Sequence, residues 1–171
     1  MAGAGVEPAE EPATERVAER ATEWVAEPYG FLIPVAVHFD ELDSFGMLYN
    51  SRFGVLVERA WIEYWQQREL AFAKDWTPLP DSFNVVKEFR ITFEAPIDHP
   101  GEYGVRIWIE RVGRTSLTYG FRVCSQDGGP MTYAHGVRTL IRVDPETRRP
   151  TEWSEEARKL TAELLRPAPA A

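Results

Sequence analysis

Apolar residues between Ser51 and Leu70 recur with the period of a helix. At about 3.6 residues per turn, Phe53, Leu56, Val57, Ala60, Trp61 and Tyr64 share one broad face, and Val55 and Ile62 add apolar surface on the opposite side. Only Arg59, Glu63, Gln66 and Gln67 form a clearly polar arc. The pattern therefore predicts a helix that other structure wraps on most of its circumference. Beyond it the period changes to two. Phe89, Ile91 and Phe93 alternate within 85–93, Val105, Ile107 and Ile109 follow, and Leu117, Tyr119, Phe121 and Val123 form a third face. Tyr133, Val137, Ile141 and Val143 mark a last long strand. Gly113-Arg114 and Asp127-Gly128-Gly129-Pro130 supply hairpin turns between these segments. With a strand over 33–39 ahead of the helix, the order is strand, helix, four antiparallel strands. That is an α+β pattern, and a short helix over 154–165 closes the chain.

The segment Asp43-Ser44-Phe45-Gly46-Met47-Leu48-Tyr49-Asn50 places a carboxylate in a tight Gly-containing loop directly before the buried helix. A helix N-terminus offers unpaired N–H groups and the positive end of the macrodipole, suited to negative charge developing on a carbonyl oxygen. Asp43 is close enough in sequence to face the same carbon. In its structural role Asp43 is a turn residue bonding nearby backbone, and Asn50 is a favoured N-cap. Glu58, at the margin of the buried stripe, is the competing carboxylate, and Gly54 one turn earlier leaves space beside it. Asp40, alternating with Ala36 and His38, reads as a surface turn.

The order of elements and this loop resemble the hotdog-fold acyl-CoA thioesterases of the 4-hydroxybenzoyl-CoA type. The residues carrying the resemblance are Asp43, Gly46, Tyr49, Asn50, Phe53, Glu58 and Ala60, continued by Pro96, the Gly113-to-Ser116 turn, Ala134-His135-Gly136 and Val143-Asp144. The resemblance covers roughly residues 32–160 and implies a five-stranded antiparallel sheet wrapped around one long central helix. It also implies hydrolysis of an acyl thioester of coenzyme A or an acyl carrier protein without a cofactor or metal, and a homodimer or homotetramer with shared sites. Asp43 or Glu58 would be the catalytic carboxylate, and a backbone N–H near Asn50 the oxyanion donor. Phe45, Gly46, Tyr49, Phe53, Gly54, Trp61, Ser116 and Arg114 would contact substrate, Ser116 near the pantetheine held by a neighbouring subunit. Many relatives carry His after the loop Gly; this chain has Met47, which leaves the subgroup and acyl group open. A hotdog dehydratase or hydratase, with His38 serving as the histidine such enzymes use, and a non-catalytic thioester-binding protein are the alternatives.

Composition narrows the setting. A chain of 171 residues with 44% hydrophobic content builds one sizeable core. No apolar run approaches membrane-spanning length and no secretory segment is evident, so the expectation is a cytoplasmic protein that spans no membrane. The single cysteine, Cys124, falls in a strand pattern and reads as a core residue. His38, His99 and His135 show no metal-ligand spacing, and no G-x-S-x-G elbow is present. The net charge of −8 argues against nucleic acid as a partner. Seven Glu and two Arg through Pro28 account for −5 of it. Residues 1–28 therefore read as an acidic, mobile extension, within which 14–26 has the pattern of a short helix. Residues 29–166 read as the domain and 167–171 as a frayed end. The stretch 71–83, with Trp76, is placed to lid an aromatic-lined pocket containing Phe45, Tyr49, Trp61 and Trp65.

Overall fold

The computed structural model describes residues 25–26, 29–73 and 78–166. Its strands are β1 (Val25–Ala26), β2 (Phe31–Val37), β3 (Asn84–Phe93), β4 (Gly101–Val112), β5 (Ser116–Ser125) and β6 (Thr132–Arg142), with helices α1 (Asn50–Gln66) and α2 (Glu155–Glu163). One antiparallel sheet runs in the order β1-β2-β4-β5-β6-β3. The five strands expected from periodicity are present. The two-residue β1 pairs Val25 with Leu32 and Ala26 with Phe31, and so adds an edge to the sheet from within the segment read as an extension. At 25–26 the expected tail helix is replaced by strand. The rest of that helix, Trp76 in the lid segment and residues 167–171 lie outside the described residues.

The inner face of the sheet closes around α1. Phe53, Leu56, Val57, Ala60, Trp61, Tyr64 and Trp65 are buried on the helix, and Ile33, Val35, Val105, Ile107, Tyr119, Phe121 and Val123 meet them from the sheet. Each large side chain fully buried there contributes about 1.5–3 kcal/mol relative to exposure. Trp61 stacks flat on Tyr119, with centroids 4.1 Å apart and planes 5° off parallel. The opposite patch expected on α1 is only partly real, because Val55 is half-buried and Ile62 is 45% exposed.

The strand expected over 33–39 runs instead as β2 over Phe31–Val37, since Phe39–Glu41 turns as a short 3-10 helix, and both ends of α1 also differ from the sequence expectation. The helix ends at Gln66, four residues short of Leu70, because Glu69 takes a positive φ of 57° and the Leu70 N–H folds back onto the Trp65 carbonyl. At its start the N-cap is Tyr49, whose side chain makes no capping bond, and Asn50 is the first helical residue instead of the cap. The C-terminal helix begins on Ser154 as expected, whose Oγ accepts the Ala157 N–H. Its exit then bonds to the middle of β4 through Leu164, Arg166 and Ile109.

Candidate active site

The loop from Glu41 to Tyr49 folds back on itself. Leu42 bridges Leu48, the Tyr49 N–H donates to the Glu41 carbonyl, and the Asp43 N–H donates to Met47 O at 2.7 Å. Gly46 sits at φ 75°, a left-handed conformation that L side chains rarely adopt, with open space where a Cβ would point. The constraint there is conformational, not steric. Asp43 Oδ1 accepts the Phe45 N–H at 2.8 Å and the Met47 N–H at 3.1 Å. The turn role expected of Asp43 is therefore present, and it uses one carboxylate oxygen.

Asp43, Tyr49, Asn50 and Phe53 line one open cleft of about 540 Å³. The end of β3 and the residues after it, Phe93 to Pro96, form the opposite wall. Phe53 and Phe93 meet edge to face at 5.2 Å across it, and the Leu48 N–H anchors the loop to the Ile97 carbonyl at 2.8 Å. A helix that starts on Tyr49 carries neither a capping side chain nor an acidic residue over its first turn. The Asn50 and Ser51 N–H groups have no acceptor among the described residues. The cleft thus holds a carboxylate and unfilled helix N-terminal donors together.

Glu41, at the base of the loop, is 3% exposed. Its Oε2 accepts the His38 N–H at 2.9 Å, and its Oε1 lies 3.1 Å from Arg59 Nη2 on α1. Burial alone would raise the Glu41 carboxyl; the His38 N–H bond and the Arg59 guanidinium outweigh it and hold the group below its ordinary value. Nothing in the sequence singled out this Glu; the signal fell on Asp43, two residues on, through its Gly-containing loop.

The other expected site residues fall elsewhere. Phe45 is 83% exposed and does not line the cleft. Gly54 does not open a passage, since the Phe89 ring lies 3.4 Å from where its Cβ would be. Glu58 and Trp61 line a second cavity of about 210 Å³ on the C-terminal half of α1, together with Trp65, Phe72, Asp81 and Trp153. Glu58 is half-exposed and pairs with Arg138 of β6 at 3.4 Å; Asp81 pairs with Arg142 at 3.0 Å. Trp153 and Asp81 carried no functional signal in the sequence. Arg114 sits in the β4–β5 turn, where it pairs with Glu152 at 3.1 Å, and Ser116 opens β5, at the end of that strand away from the loop.

His38 is exposed at the end of β2, and Asp40 lies in a short 3-10 turn, not a strand. His99 pairs with Asp98, and His135 with Glu94 at 3.0 Å. Among the described residues no group of three or more His, Cys, Asp or Glu is arranged to hold a metal ion. No helix among them is long and apolar enough to cross a membrane.

A cleft that joins a loop carboxylate to the bare start of a helix wrapped by an antiparallel sheet is the layout of a hotdog thioesterase. The sequence model of the Thioesterase-like superfamily matches residues 37–160, and the chain belongs to that superfamily, a class of thioester hydrolases. A thioesterase from Thermus thermophilus, solved with coenzyme A and Zn, is 26% identical, with a TM-score of 0.67 over 84% of this chain and 100% of that one. A DHNA-CoA thioesterase from Staphylococcus aureus is 18% identical, with a TM-score of 0.63 over 77% of this chain and 90% of that one. A thioesterase-superfamily protein from Jannaschia sp. CCS1 is 17% identical, with a TM-score of 0.65 over 92% of this chain and 95% of that one. No curated protein matches the chain.

Proposed function

We propose that the chain hydrolyses an acyl-CoA thioester in the cleft between the Asp43 loop and the start of α1. The observation that carries this reading is that Asp43 and Asn50 line one cleft, while the first N–H groups of α1 have no acceptor among the described residues. The thioester carbonyl oxygen sits against those N–H groups, which stabilise the oxyanion as it forms. Asp43, held by the two N–H bonds to Oδ1, presents Oδ2 either to attack the carbonyl carbon or to take a proton from water. In the first case the C–S bond breaks, the thiolate leaves a mixed anhydride on Asp43, and water hydrolyses that anhydride to free the acid and restore the carboxylate; in the second the deprotonated water adds to the carbonyl carbon and the tetrahedral adduct collapses to the acid and the thiolate, which takes up the proton. The thermophilic neighbour with bound coenzyme A supports a CoA thioester as substrate; an acyl carrier protein would present the same carbonyl.

Glu58 lies eight residues beyond Asn50, or about 12 Å along the helix, and borders the other cavity. In one protomer it does not face a carbonyl held at Asn50. Its place in the chemistry would be in a site shared with a second copy, as would that of Ser116 and Arg114. Assembly is supported by β3, an edge strand that leaves Val85, Val86, Phe89 and Phe93 between 39% and 51% exposed. Such an edge requires cover. The cavity beside Glu58 shares no lining residue with the Asp43 cleft, so it would take the acyl group only in a site shared with a second copy. At roughly 30 Å³ per heavy-atom group, the share of a liquid water, its volume takes about seven, with aromatic walls from Trp61, Trp65 and Trp153.

One observation favours the hydratase reading: Glu94, on the cleft wall, pairs with His135, an acid–base pair that His38 does not provide. The test follows both products. Incubation with a panel of acyl-CoAs should release free thiol and free acid in equal amounts, with no change in 2-enoyl-CoA. Interconversion of enoyl and hydroxyacyl thioesters without thiol release would replace hydrolysis by hydration, and neither reaction would indicate a binding protein.

A further inference from the structure

The Asp43 loop is not held by its own bonds alone. Its first residues and its last meet at Glu41, whose carbonyl takes the Tyr49 N–H and whose carboxylate takes the His38 N–H. From the other side Arg59 reaches down from the third turn of α1, placing Nη2 at 3.1 Å from Glu41 Oε1 and Nη1 at 3.4 Å from the Ala36 carbonyl. The end of β2, both arms of the loop and the body of α1 therefore converge on one carboxylate. The Glu41 side chain is 4% exposed and that of Arg59 44%. A buried carboxylate that loses its cation is costly, so the pair resists any shift of the loop along the helix.

We infer that Glu41 and Arg59 are positioning residues for hydrolysis: they fix the Asp43 carboxylate relative to the Asn50 N–H without touching substrate. This rests on the reading of the cleft given above. Asp43 and Asn50 belong to different units, a loop and a helix, and catalysis requires their relative position to hold within a fraction of an ångström. The bonds from Phe45 and Met47 to Asp43 fix the carboxylate within the loop only. Glu41 and Arg59 supply the side-chain tie that joins loop to helix.

The test compares Glu41→Gln and Arg59→Gln with the native chain by two independent readouts, amide hydrogen exchange and steady-state thiol release. In both variants the Met47 and Tyr49 amides should exchange about tenfold faster or more, with exchange in β4 and β5 unchanged. kcat should fall roughly ten- to a hundredfold with KM within about twofold. Arg59→Lys, which retains the cation, should recover most of the loss. Loop amides at native exchange rates would overturn the inference, as would uniformly faster exchange across the sheet or a kcat unmoved by a loosened loop. Exchange reads the clamp even if thiol release is absent in the native chain, an outcome that would instead reject the hydrolytic reading.

Discussion

In the proposed site Asp43 carries two duties that share one side chain. Oδ1 closes its own turn and Oδ2 has no partner among the described residues, so orientation comes from the same geometry that makes it an ordinary turn Asp. The sequence exposed this residue because loop, Gly46 and buried helix are local and adjacent. Glu41 was not legible, since the burial that gives it meaning comes from α1 and β2 folding over it. Its effect is measurable with pH. The folded pKa lies below the ordinary value of 4.5, so the contribution of Glu41 to stability is full above that value and is lost as pH falls through the folded one. The charged groups acting on it are Arg59 and, when protonated, His38. Thermal melts from pH 7 to pH 3 should show the native chain losing stability more steeply than Glu41→Gln in the acid range. Parallel slopes would mean that the ion pair adds nothing to stability.

Among the elements, α1 was the most legible, because its apolar stripe is continuous and faces one sheet. Its ends were less so. The C-terminal residue in the left-handed region is Glu69, where Gly or Asn would have given a signal. At the other end Asn50 looks like a cap, yet the cap is Tyr49. A capping side chain at position 49 would bond the N–H of Ser51 or Arg52, and Tyr49 offers none, so the Ser51 donor is left to the cleft. The alternation of β3 was also plain in sequence, but not that its apolar residues stay exposed; strand order, a property of the whole sheet, decides that. Gly136 shows how closely β3 docks on β6. A Cβ there would fall 2.0 Å from the Arg90 carbonyl oxygen and 2.8 Å from the Phe121 ring. Gly136→Ala should therefore destabilise the chain by about 1–3 kcal/mol, read as a lower urea midpoint. An unchanged midpoint would mean the pairing of β3 with β6 is looser than described.

At the scale of the molecule, the proposed second copy would cover the exposed edge of β3. Light scattering at micromolar concentration should return at least a dimer, and a monomer that hydrolyses thioesters would confine the site to one protomer. The acidic segment is a separate question. β1 contributes two paired residues at the far edge of the sheet, so a chain beginning at Glu27 should lose no more than about 1 kcal/mol, or roughly 2–4 °C in Tm, and keep kcat within about twofold. A larger drop, or a change of oligomeric size, would make that segment part of the fold.

The proposed hydrolysis in the cleft depends on one carboxylate. Thiol release by Asp43→Asn, measured beside Glu58→Gln and the native chain at equal oligomeric size and Tm, tests that dependence most directly. Asp43→Asn should lose roughly a hundredfold or more in kcat, because the amide still fills the turn but neither attacks a carbonyl nor accepts a proton from water. Near-native turnover in Asp43→Asn, with collapse in Glu58→Gln, would contradict this and move the chemistry to the helix.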